Sequence, residues 1–285
     1  MKRILTIVTA LLASLLASAG GPYEGTDPVT AYLSIEEAFR GRTDMSVPEL
    51  TVEVALHLLG TPYVGGTLEK VPEELIVRYD ATDCILFVET CIATALTLKG
   101  IDLSRGEPGA AEPSYALLKE NIRMLRYRDG HIGYSTREHY TSGWLSNAEK
   151  LGVLKEYSAR IGEPLQQTFS FMSTHPASYP QLASDTAMVS RIRAVEKELE
   201  SGSYAWVPAS RISSVEDSIC TGDIVCYVTK VKGLDISHVA LAYEKDGRMC
   251  FIHASSAARK VIIDDRTIAS YASYGVRLAR LDSIE

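Results

Sequence analysis

No block of lysine and arginine runs through this chain. Its 29 basic and 36 acidic side chains leave a formal net charge of −7, with no one-sign cluster able to follow a phosphate backbone or an anionic lipid surface. Nucleic acid is not an expected partner. The apolar stretches also fall short of the roughly 20 residues that a bilayer-spanning helix needs. There is no internal repeat, no low-complexity tract, no H-E-x-x-H and no C-x-x-C, so nothing signals zinc. Cysteine is sparse and odd in number. Five thiols do not close a disulfide framework, so at least one stays free unless it pairs between chains.

The chain does have core-forming residues: 285 positions, 46% of them hydrophobic, suffice for one large domain or two modest ones. Its first residues give Lys2 and Arg3, then a short apolar segment, then Ala17-Ser18-Ala19. That three-part pattern predicts a signal peptide over 1–19, removed after Ala19, with no membrane span left afterwards. Export is expected, and the lack of wall-anchoring repeats favours the periplasm. In an oxidising compartment Cys220 and Cys226 are spaced to pair across a turn. Cys91, Cys226 and Cys250 lie in apolar patterns that read as buried small hydrophobes.

After a polar lead-in, Ser46 caps a helical pattern that runs to Leu59 and stops at Gly60. Residues 84–98 form a second helix, apolar on almost every side and therefore a core helix. Helical periodicity with mixed charge follows over 114–160 and 183–200. From 223 onward come strands, DIVCYV, SHVALAY, MCFIHA, KVIID and GVRLARL, separated by turn residues. Helices first and antiparallel strands later imply an α+β fold.

Cys84 falls in the first turn of the second helix, capped by Thr82 or Asp83, where free N–H groups and the helix dipole favour an anion. Helix N-termini and imidazolium neighbours lower thiol pKa values, so a reactive thiolate is expected, with the Asp83 charge opposing it. Among six histidines, strand geometry selects a base. Asp246-Gly247 is a two-residue hairpin signal, pairing Lys245 with Arg248 and bringing His253 opposite Ala240. Because side chains alternate, His238 and His253 become diagonal neighbours on one face. Cysteine, base and orienting histidine is the logic of cysteine hydrolases. The same pattern also suits two hydrogen-bonded core histidines beside an inert thiol.

Five fragments in order, LGTPYVGG (59–66), Asp83-Cys84, TGDIVCY (221–227), ISHVALAY (236–243) and FIHASS (251–256), resemble the NlpC-type cysteine peptidases of bacterial cell-wall turnover, a papain-like superfamily. The resemblance implies Cys84 as nucleophile, His238 as base and His253 as third polar member. It places Tyr63 near the cysteine and Asp83 on the turn or a substrate group. The apolar run after Cys84 and the long gap to His238 depart from compact members. With YRDGHIGYSTREHYTSGW and FMSTHPASYP, the chain is similar to the branch of N-acetylmuramoyl-L-alanine amidases first catalogued as a domain of unknown function. That implies a cofactor-free amidase acting on muropeptides as a monomer. The alternatives are a γ-D-glutamyl-diamino acid endopeptidase and a non-catalytic wall-binding module.

The implied organisation is 20–99 and 211–285 as the two parts of a papain-like catalytic core, with 100–210 as a helical insertion shaping the substrate cleft. Arg137, His139, Tyr140 and Trp144 of that insertion suit a sugar peptide, since aromatic rings cover apolar sugar faces. Tyr140 and Trp144, four apart, equally suit simple helix packing.

Overall fold

The computed structural model describes residues 20–42, 44–105, 109–110 and 112–282. The expected signal peptide lies outside them. Helix α1 is Pro28–Ala38, α2 Val47–His57, α3 Cys84–Leu98, α4 Tyr115–Arg126, α5 Thr141–Lys150 and α6 Thr186–Glu200. Short turns of helix connect several of these.

Strands β1 (Leu154–Glu156), β2 (Glu163–Leu165), β3 (Tyr204–Pro208), β4 (Ile224–Val228), β5 (Ile236–Lys245), β6 (Arg248–Ser255), β7 (Lys260–Asp264) and β8 (Gly275–Leu281) form one sheet. Its order is β2, β3, β8, β4, β5, β6, β7, with β1 also paired to β8, and every pairing is antiparallel. The mixed helical and antiparallel architecture is the one the patterning implies.

α2 starts where the sequence places it. Ser46 caps it, with Glu49 reaching back to the Ser46 N–H at 2.7 Å in a complete capping box, and Gly60 takes a φ of +90° after its end. The buried α3 packs on the sheet face formed by Cys226, Val239, Leu241, Ile252 and Ala254, with α1, α2 and α4 around it. Val225, Tyr227, Ala240, Ala242 and Phe251 point to the other face, where they meet Ile212, Ile268 and Ala272. A satellite core of Tyr134, Tyr140, Phe169, Met172, Ile192 and Leu199 holds the middle region together.

Three expectations are corrected. The lead-in before Ser46 contains a helix, α1, capped by Asp27 and anchored by buried Tyr32 and Ile35. The helical periodicity over 114–160 is interrupted: Asp129 and Gly130 adopt left-handed φ values of +51° and +66°, and 154–156 is a strand on β8. Cys220 and Cys226 do not pair, because Cys226 points into the core from β4 while Cys220 is exposed; all five cysteines are free thiols.

Glu89, a carboxylate within the apolar helix, finds its partner in Arg126 of α4, whose Nε and Nη2 lie 2.9 and 2.5 Å from Oε1. Both side chains are almost fully buried. The middle region is tied to the sheet by Arg277 of β8. It grips Glu156 through two 2.8 Å bonds and donates to Ser142, whose hydroxyl bonds buried Asp235.

Candidate active site

Asp83 is the N-cap of α3, accepting the Leu86 N–H at 3.0 Å, so Cys84 is the first helical residue. Its sulfur lies against the backbone N–H groups of Ile85 and of Val239, the residue after His238. These donors favour a thiolate. They are outweighed: burial and the neighbouring Asp83 carboxylate push the thiol up to about 11. The expected lowering of the thiol pKa is therefore reversed, because the helix end that supplies donors is also stripped of water.

The β5–β6 hairpin turns at Asp246 and Gly247, both with positive φ (+53° and +73°), and its register runs from Lys245 with Arg248 to Leu241 with Ile252. His253 thus reaches the level of Ala240, diagonal to His238. His238 Nε2 lies 2.6 Å from His253 Nδ1. On the far side of His253, Nε2 stands 3.4 Å from Oδ2 of Asp264 on β7, and Asp264 is clamped by Arg266 at 2.6 and 3.0 Å.

His253 Nε2 makes no hydrogen bond among the described residues, but a carboxylate only accepts, so Asp264 at 3.4 Å favours the proton of neutral His253 on Nε2, with Nδ1 accepting from His238. That leaves Nδ1 of His238 as the basic lone pair. Burial drives His238 down to about 3 and His253 to about 4, with the His253 charge adding to the first and Asp264 opposing both shifts. Aromatic rings supply the dry surroundings. Tyr227 stacks on His238 at 5.9 Å, Phe251 meets His253 at 4.9 Å, and Tyr271 is 5.7 Å from each.

Tyr63 enters on a loop bridged on both sides, its N–H bonding Arg259 O at 2.9 Å while Val64 N–H bonds Thr82 O at 2.8 Å. Its phenol is raised by burial and by the nearby Cys84, Asp83 and Tyr271. Beyond Asp83, a cavity of about 290 Å³ is lined by Asp83, Arg137, His139, Tyr140, Trp144 and the Glu89–Arg126 pair, among others.

Three comparisons bear on this geometry. Residues 53–275, more than half of the chain, match the model of the AmiA-like family, described as N-acetylmuramoyl-L-alanine amidase-like. The chain belongs to the N-acetylmuramoyl-L-alanine amidase-like family. An N-acetylmuramoyl-L-alanine amidase of Bacteroides uniformis ATCC 8492 is 29% identical with a TM-score of 0.74, over 81% of this chain and 98% of that one. A Bacteroides fragilis protein provisionally described as a xylanase is 32% identical with a TM-score of 0.72, over 80% and 99%. A Legionella pneumophila protein shares the fold at 18% identity and a TM-score of 0.62, over 88% and 94%. The comparison with curated proteins gives no match.

In this amidase-like chain, then, the Cys84 sulfur meets the N–H of Val239, the residue after His238, while His238 and His253 pair with each other and Asp83 and Tyr63 stand beside the cysteine. Arg137, His139, Tyr140 and Trp144 meet around the adjoining cavity, but their polar atoms are largely engaged within the protein. Arg137 bonds Glu69 at 2.6 Å and Leu68 O at 3.0 Å, His139 bonds Tyr134 O at 2.7 Å, and Tyr140 donates to Glu196 at 2.7 Å. Trp144 is buried in the core with its Nε1 aimed at Glu89.

Sequence reasoning missed Asp264, Arg266, Tyr227 and Tyr271. A signal for Asp264 existed, since β7 alternates and pairs Ile262 with His253, which makes Asp264 a diagonal neighbour. Among the described residues, no helix is long and apolar enough to cross a membrane, and no set of three His, Cys, Asp or Glu is arranged to hold a metal ion.

Proposed function

We propose that this protein is an exported peptidoglycan hydrolase, a cysteine amidase that cleaves the N-acetylmuramoyl to L-alanine amide of muropeptides on a papain-like core. The observation that carries this reading is the chain from Asp264 through His253 to His238, on the strand whose next residue, Val239, presents its N–H to the sulfur at the N-terminus of α3.

Cys84 attacks the lactyl carbonyl while its proton passes to His238 Nδ1, so the sulfur–carbon bond forms without a free thiolate in the resting site. The developing oxyanion lies at the start of α3, where the Cys84 backbone N–H is unpaired within the helix. His238 gives the proton to the departing alanyl nitrogen as the carbon–nitrogen bond breaks. Water then attacks the thioester, its proton passes to His238, and the thiol is restored as the muramic carboxylate leaves.

Glycosidic cleavage fits the site less well. It calls for two carboxyl groups facing one bond across about 5 to 9.5 Å. Here Glu69, Glu89 and Glu138 around the cavity are held by Arg137, Arg126 and Arg128, and Asp83 caps α3. A wall-binding module would not need the histidine–histidine–aspartate chain.

Mass spectrometry of defined muropeptides tests the proposal. A peptide beginning with free L-alanine is expected, lost in Cys84→Ala and in His238→Ala and insensitive to chelator. A stem peptide shortened at γ-D-glutamate would instead make the chain an endopeptidase, and loss of activity in chelator would point to a metal-dependent reaction.

A further inference from the structure

A second cleft, about 380 Å³, shares no lining residue with the cavity beyond Asp83. His238 lines it together with the hydroxyl-bearing Thr229, Ser237, Ser256, Tyr271 and Ser273, and no Asp or Glu is among its lining residues. At its rim Tyr274 carries Lys230, whose Nζ stands 4.1 Å from the ring centroid. The lysine is exposed and forms no ion pair among the described residues. In a chain of net charge −7 an acid-free cleft stands apart, and Lys230 lines a neighbouring cleft that shares Val228, Thr229 and Tyr274 with it. The cavity beyond Asp83 is its opposite, walled by carboxylates and guanidinium groups already bound to one another.

We infer that this cleft is the subsite for the anionic peptide half of the substrate, with Lys230 binding a carboxylate of the departing peptide. The inference rests on the amidase reading and deepens it. Two arguments converge. A base that must protonate the departing nitrogen has the leaving group next to its ring, and His238 itself forms a wall of this cleft. A stem peptide also carries carboxylates, whereas its hydrogen-bonding backbone suits short hydroxyl side chains. The ring of Tyr274 holds the ammonium at the rim and limits the freedom lost on binding. The acyl half is then directed to the cavity beyond Asp83, and the substrate lies across Cys84 in one orientation.

The test compares N-acetylmuramoyl-L-alanyl-D-glutamate with its counterpart amidated at both carboxyl groups. Wild-type protein is expected to prefer the acid, and Lys230→Gln to cut that preference about three- to fivefold, the range for a solvent-accessible ion pair. The change should fall in KM, with kcat unaltered and Lys230→Arg retaining the preference. Raising the salt from about 50 to about 500 mM should erode the preference in wild type but not in Lys230→Gln.

Titration calorimetry with Cys84→Ala protein reads the same preference as a ratio of Kd values without turnover. An acid-to-amide ratio unchanged by Lys230→Gln overturns the subsite. A preserved, lysine-dependent binding preference without release of an L-alanine-led peptide by wild type would sink the amidase reading alone.

Discussion

Asp264 Oδ2 stands 3.4 Å from Nε2 of His253, the ring whose other nitrogen lies 2.6 Å from His238 Nε2, and in the proposed mechanism this carboxylate sets which nitrogen of His238 carries a proton. Asp264→Asn exchanges an acceptor for a group that also donates, allowing His253 and His238 to take the opposite tautomers. Activity should fall about 10- to 100-fold, the usual cost of losing an orienting partner. Nitrogen-15 shifts of the two imidazoles should report the exchanged tautomers. Unchanged shifts with unchanged activity would remove Asp264 from the mechanism.

The resting thiol should be sluggish. With Cys84 pushed up to about 11, on the order of one molecule in 10⁴ carries a thiolate at pH 7. Iodoacetamide should label Cys84 slowly there, with a rate that climbs toward pH 11 and no plateau near neutrality. Asp83→Asn removes the opposing charge while keeping a side chain able to cap α3, so labelling should quicken. An equal or slower rate would mean that the carboxylate does not act on the sulfur.

The two buried imidazoles make stability depend on pH with a definite sign. His238 and His253 titrate near 3 and 4 when folded and near 6.5 when unfolded. Their contribution is fully present above pH 6.5 and is lost as pH falls from there through the folded values, because the unfolded chain binds those protons first. Urea denaturation between pH 7 and 5 should show this decline, and the double variant His238→Gln, His253→Gln should flatten it. A slope unaffected by the double variant would assign the acid sensitivity to other groups.

Glu89 and Arg126 form a buried ion pair in the wall of the cavity beyond Asp83. Arg126→Met leaves a buried carboxylate without its cation and should cost about 3 to 5 kcal/mol. Replacing both, Glu89→Leu with Arg126→Met, should recover most of that loss. Thermal unfolding distinguishes the two, and a double variant as unstable as the single one would mean that the pair is needed for the local backbone.

The site was readable where turn chemistry announces register. Asp246-Gly247 allows only a narrow choice of hairpin, so the proximity of His238 and His253 follows by counting. The β6–β7 connection is different. It passes through Ser256, Ala257 and Ala258 to Arg259, which adopts a φ of +59° without a glycine to signal the turn. The register that carries Asp264 to His253 was therefore hidden, although alternation alone would have put it on the correct face.

The thiol shows a second limit. Helix position, visible in the sequence, argues for an acidic sulfur, but burial by the folded chain and the Asp83 carboxylate reverse the sign. Glu89 is similar. Its need for a partner was evident, whereas Arg126, 37 positions away, becomes its neighbour only when α4 packs on α3.

The central claim is that the Cys84 sulfur becomes covalently joined to the acyl half of the substrate, and acid quenching of enzyme mixed with N-acetylmuramoyl-L-alanyl peptide, followed by peptide mapping in a mass spectrometer, reads it directly. The account predicts an N-acetylmuramoyl adduct on the peptide containing Cys84, lost in His238→Ala and absent in Cys84→Ala. Steady release of L-alanine-led peptide by Cys84→Ala protein, with no adduct in wild type, would contradict it.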